Sequence, residues 1–182
     1  MNIRYAGYFM KSLGISIVFL CSFSGLTSAI RLPQDFEHSQ LGMTLEELKK
    51  DVPLIETDDQ MGYADHFEEE PDVYFFRDEK KARKIEYYFF KNRLYKIFVI
   101  YDPHTYKADF YDKLVTEMEG KYGSPADRYK KNVFGISVEH TVWNNKKTIL
   151  DIRNGAGFIY KVIIDKASLQ QKEEYLNRKK AI

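Results

Sequence analysis

The chain has 182 residues, enough for one domain of ordinary size or two small repeats sharing a core. Its 44% hydrophobic and 15% aromatic content is far above what a solvated tail carries, which excludes disorder for most of the chain. The formal charge is +1, or −1 once the leader cations Arg4 and Lys11 are removed, so there is no global electrostatic footprint for nucleic acid.

Residues 1–29 read as an export signal. Lys11 precedes an apolar run from Leu13 to Phe23, and Thr27-Ser28-Ala29 supplies the small residues of a cleavage site before Ile30. Met10 followed by Lys11 also has the form of a start, and either start gives the same mature chain. The apolar run is shorter than the roughly 20 residues of a membrane span, so the mature chain is expected to have no transmembrane segment and to be periplasmic or secreted. Cys21 sits in the leader core after Phe19 and Leu20, where lipidation wants small residues. Without it the mature chain has no disulfide, thiol nucleophile or thiolate metal site.

Residues 30–40 show no periodicity and read as a linker or ordered arm. Thr44 and Glu47 then have the spacing of a capping box, with Leu45, Leu48 and Val52 on one face of a short helix that Pro53 ends. Between Glu56 and Asp72 lie eight carboxylates and no lysine or arginine, which reads as a solvated acidic loop without the alternating ligands of a calcium site. His66 within it reads as a surface residue.

Strands are expected at Val73 to Arg77, Ile85 to Phe90 and Leu94 to Asp102, the first two joined by the charged turn Asp78 to Lys84 and the last two forming a hairpin. A helix follows from about Tyr106 to Tyr122. Phe110, Leu114, Met118 and Tyr122 form its buried stripe, Asp109 with Lys113 and Glu117 with Lys121 lie at ion-pair spacing, and Gly123 and Pro125 stop it. After a polar stretch, strands are expected at Ile136 to Trp143, Thr148 to Arg153 and Phe158 to Asp165, with Asn-rich and Gly-rich turns between them. Residues 167–182 read as a tail, with a frayed helix as the alternative.

Ile159-Tyr160-Lys161-Val162-Ile163-Ile164 echoes Leu94-Tyr95-Lys96-Ile97-Phe98-Val99 in residue character, which sets two units about sixty-five residues apart. The expected fold is therefore α+β, a tandem α-βββ-α-βββ duplication within residues 41–166, with repeats at about 41–103 and 104–166 and helices packed on antiparallel sheet. The helix entry Leu41-Gly42-Met43-Thr44-Leu45-Glu46-Glu47-Leu48, followed by a proline and a meander, resembles the small outer-membrane assembly lipoproteins of the SmpA/OmlA type. The tandem arrangement resembles the β-lactamase inhibitor protein. These resemblances imply an exported, non-catalytic protein that binds another envelope or secreted protein, and they carry over no interface residue.

Candidate chemistry is sparse. His104 and His140 have acids nearby but no nucleophile motif, no histidine pair has metal spacing, and Gly155-Ala156-Gly157 lies between strands and not before a helix, so it is not a phosphate loop. No catalytic residue, metal or cofactor is expected. The alternative is a small-molecule binder or an enzyme without a recognisable motif. The central hairpin is apolar on both sides: alternation puts Glu86, Tyr88, Phe90, Tyr95, Ile97 and Val99 on one, and Ile85, Tyr87, Phe89, Lys96, Phe98 and Ile100 on the other. Lys96 and Lys161 hold matching places in the echoing strands, and their side is expected to be the more exposed. Tyr87, Phe89, Lys96, Phe98, Lys161 and Ile163 form the expected binding surface, with both faces being core as the competing reading.

Overall fold

A computed structural model describes residues 31–56, 73–76, 84–107 and 109–180. The leader with its Cys21, the acidic stretch from Thr57 to Asp72 and nearly all of the turn Asp78 to Lys84 lie outside the described residues.

Before the first helix, strands β1 (Asp35–Phe36) and β2 (Ser39–Gln40) close a small antiparallel ribbon. The Ser39 hydroxyl donates to the Phe36 carbonyl at 2.6 Å, and Leu32 is buried, so the arm is ordered. Helix α1 (Leu45–Asp51) carries the expected capping box: the Glu47 amide donates to Thr44 Oγ1 at 3.2 Å, and the Thr44 amide donates to Glu47 Oε2 at 2.7 Å. Strands β3 (Ile55–Glu56), β4 (Val73–Phe76), β5 (Lys84–Phe90) and β6 (Arg93–Tyr101) follow, then helix α2 (Phe110–Tyr122). Four more strands complete the sheet: β7 (Asp127–Val133), β8 (Ile136–Asn144), β9 (Thr148–Gly155) and β10 (Phe158–Asp165). Helix α3 (Lys166–Lys180) ends the described chain.

The expectation of two α-βββ units is corrected by this topology. Among the described residues one antiparallel sheet of eight strands, ordered β3-β4-β5-β6-β10-β9-β8-β7, runs through the fold, and the two-stranded ribbon stands apart from it. Strand β7 occupies what reads as polar linker, and β3 adds a short strand at the opposite edge. The architecture is dominated by this sheet and is not a repeat of helix plus three-stranded meander.

The face assignment of the central hairpin also needs correction. Lys91 and Asn92, with φ of 50° and 57°, make a two-residue turn that pairs Phe90 with Arg93 and Phe89 with Leu94. Tyr88 then pairs with Lys96, leaving Tyr95 as an extra residue in β6. A bulge of this kind shifts the register by one, so every β6 side chain beyond it lies across the sheet from where plain alternation puts it.

One face of the sheet carries Ile85, Tyr87, Leu94, Ile97, Val99, Trp143, Leu150, Ile152 and Ile163, and packs against Leu48 and Val52 near α1 and Tyr111, Leu114, Val115 and Met118 of α2. Burial of each large apolar side chain on α2 contributes about 1.5–3 kcal/mol. Its pairs Asp109–Lys113 and Glu117–Lys121 are exposed and screened by solvent, so packing and not charge holds α2 in place. The opposite face buries a smaller cluster, Tyr88, Tyr95, Phe98, Ile100, Tyr160 and Val162, onto which α3 lays Leu169. Helix α3 is thus part of the fold: Lys172 Nζ donates to Tyr95 Oη at 2.9 Å, and Tyr175 meets Phe90 with ring centroids 5.9 Å apart.

Candidate functional site

The six residues expected to form a binding surface do not share one. Tyr87, Phe89 and Ile163 lie in the core under α1 and α2, and Lys161 faces the same way, its Nζ 5.4 Å from the Phe36 ring centroid. Lys96 and Phe98 lie on the α3 side, Lys96 Nζ 3.4 Å above the Tyr88 ring and Phe98 stacked on Tyr160 at 5.4 Å. The reason is in the register: Lys161 pairs with Val99 and Lys96 with Ile164, an odd offset, so lysines that match in sequence point to opposite faces. Phe98 is 5% exposed and Ile97 fully buried, which makes both faces core.

The two lysines have different environments. Half-buried Lys161 has its ammonium pushed below the usual lysine range by burial, which the carboxylate of Glu117 partly offsets. Lys96 covers the ring of Tyr88, whose hydroxyl donates to Glu86 Oε2 at 2.5 Å while Lys84 pairs with Glu86 Oε1 at 2.5 Å. Burial, then the Glu86 charge, drives the Tyr88 phenol far above its ordinary pKa, so it is a fixed donor.

Farther along the α3 side, the pleat of β8 and β9 aligns His140, Asp151 and Arg153. Asp151 Oδ2 lies 3.1 Å from His140 Nδ1 and receives Arg153 Nε at 2.7 Å, while Tyr129 of β7 stacks on the imidazole at 4.6 Å. Histidine and aspartate side chains are each 6% exposed, and Asp151 Oδ1 has no hydrogen-bond partner among the described residues. A histidine held by a carboxylate is the base-and-orienter half of a hydrolytic triad. The adjacent hydroxyl, Thr141, points through the other face and bonds Tyr111 Oη of α2 at 2.8 Å, so it is no nucleophile for His140. The cluster ties the outer strands together. His104 lies in an exposed loop, its amide donating to Asp102 Oδ1 at 2.9 Å. Among the described residues no three His, Cys, Asp or Glu side chains gather as a metal site, and no helix is long and apolar enough to cross a membrane.

The feature that sequence reading missed is the β7–β8 hairpin. Six of the seven residues of β7 are exposed, and β7 is the outer edge of the sheet. Three of the four large exposed hydrophobic residues among those described sit on this hairpin: Tyr129 at 43%, Phe134 at 79% and Ile136 at 45%. Phe134 and Gly135 form its two-residue turn with φ of 48° and 82°. Glycine suits such a position; a phenylalanine there is strained by about 1–2 kcal/mol, where asparagine is the preferred residue. The available signal was the two-residue spacing Val133-Phe134-Gly135-Ile136, hidden by the charged letters of Asp127 to Lys131.

No curated protein and no solved structure matches the chain. A family model described as the TP0088 domain matches residues 34–175, from the N-terminal ribbon through the edge hairpin to Tyr175 of α3. Because that span covers well over half of the sequence, the chain belongs to the TP0088 domain family.

Proposed function

We propose that this protein is an exported, non-catalytic module that binds another envelope or secreted protein through the β7–β8 hairpin. The observation that carries the reading is Phe134, a bulky apolar side chain 79% exposed on a left-handed backbone. Strain and exposure both cost stability, and folds keep such costs at positions that do something else. A rigid aromatic at the tip of a ribbon fits a pocket on a partner, with Ile136 widening the contact. Export rests on the charged, apolar and small-residue succession of residues 1–29.

Phe134→Asn tests the reading because it moves stability and binding in opposite directions. The variant should gain about 1 kcal/mol by relieving the turn, a rise of roughly 2–4 °C in Tm for a domain of this size. It should also lose the partner in affinity capture from the cell envelope that the wild type performs. A stabilised variant that captures the same proteins as the wild type would refute the hairpin as the docking element.

A further inference from the structure

Resting on the hairpin as the docking element, we infer that the partner supplies an extended, acidic segment that adds to the sheet as a ninth strand along β7. A sheet edge presents backbone N–H and C=O groups that no neighbouring strand of the sheet satisfies, and such an edge templates a further strand. The two edges of this sheet are unequal. Strand β3 has two residues, whereas β7 has seven and offers about 24 Å of ladder.

Charge selects the occupant. Within β7 stand Arg128, Lys130 and Lys131 against the single acid Asp127, all exposed, and Lys146 and Lys147 are exposed in the turn after β8. Arg128 reaches Glu119 of α2, and Lys130 and Lys131 stand exposed in the middle of the strand. A second copy is the wrong occupant. Antiparallel self-pairing centred on Lys130 sets Lys130 against itself, and centring it one step later sets Lys130 against Lys131, like charges at cross-strand distance in either case. Lysines on an edge are a common guard against self-association. The same two lysines favour a strand that brings carboxylates opposite them. A lipid surface fits less well, since hydrocarbon satisfies none of the open backbone groups.

The test pans a displayed random-peptide library on the purified protein. Enriched peptides should be β-prone with acidic residues at neighbouring positions, one to face each lysine across the sheet, slow amide hydrogen exchange in β7, and bind about tenfold or more weakly to Lys130→Glu/Lys131→Glu, with affinity falling as salt rises. Thermal melting of the double variant serves as the folding control, and Lys130→Gln/Lys131→Gln as a second variant should show an intermediate loss. Enrichment of nothing, peptides without an acidic bias, or β7 amides that exchange unchanged would overturn the inference. So would a single-stranded oligonucleotide or anionic phosphatidylglycerol vesicles binding at the lysines in place of peptide, or a dimer that the charge reversal dissolves. Binding lost in Phe134→Asn but indifferent to both lysine variants and to β7 exchange leaves the docking hairpin standing and removes only the added strand. Indifference to all three variants removes both.

Discussion

At the scale of single residues, the contrast between Thr44 and Lys161 shows what a sequence can and cannot reveal. Thr44 acts within three residues of itself, so its cap is legible from spacing, and Thr44→Ala should cost about 1 kcal/mol in urea unfolding. Its partner Glu47 has a carboxyl held below the usual range, first by the Thr44 amide and then by the Thr44 hydroxyl. A depressed folded pKa means stability that is present above the ordinary glutamate range and lost as pH falls through the folded value. Glu47→Gln should therefore flatten part of the acid side of the pH–stability curve, and identical acid limbs for wild type and variant would contradict the capping box. Lys161 gave no such local signal, because the ring beneath it, Phe36, comes from more than a hundred residues away, and its side of the sheet depends on a bulge in another strand.

At the scale of elements, turns decide more than strands do. The β9–β10 turn places Ala156 at φ 56° and Gly157 at φ 78°, and Ala156→Gly should stabilise the fold by about 1 kcal/mol by removing the left-handed strain of alanine. One residue earlier the sign reverses. A Cβ on Gly155 would lie 2.8 Å from Val138 Cγ2 and 3.1 Å from Val138 Cα, so Gly155→Ala must push β8 from β9 and should destabilise the fold by roughly 1–3 kcal/mol. Equal melting temperatures for the two variants would show that the turn geometry is wrong. Strands β5, β6, β8, β9 and β10 were legible because aromatic and β-branched runs between turn residues describe half-buried strands. Strand β7 was not, since an edge strand exposed on both faces has no apolar period to display, and its pairing is fixed by β8 and by the Tyr129–His140 stack. The bulge at Tyr95 was equally invisible, and together with the register between β6 and β10 it undid the expected surface. The candidate site was legible only as isolated letters.

At the scale of the whole molecule, burying phenols in both cores gives the protein an alkaline limit. Tyr88, Tyr95 and Tyr101 have pKa values raised chiefly by burial, and Tyr111 and Tyr122 are raised for the same leading reason. Raised folded values contribute stability fully present below the ordinary tyrosine range and lost as pH climbs above it, so unfolding should begin above about pH 10 and coincide with the rise of phenolate absorbance. Exposed rings such as Tyr129 and Tyr175 ionise first, and phenolate from Tyr88, Tyr95 or Tyr101 in a still-folded protein would contradict the burial of these rings. The seam between β6 and β10 has a consequence in time. Its paired residues are about sixty positions apart, Ile159 with Tyr101 and Ile164 with Lys96, so the middle of the sheet closes by a non-local step. Until Phe158–Asp165 has emerged, β6 presents an uncovered apolar edge, and the nascent chain is at its most vulnerable to self-adhesion shortly before synthesis ends.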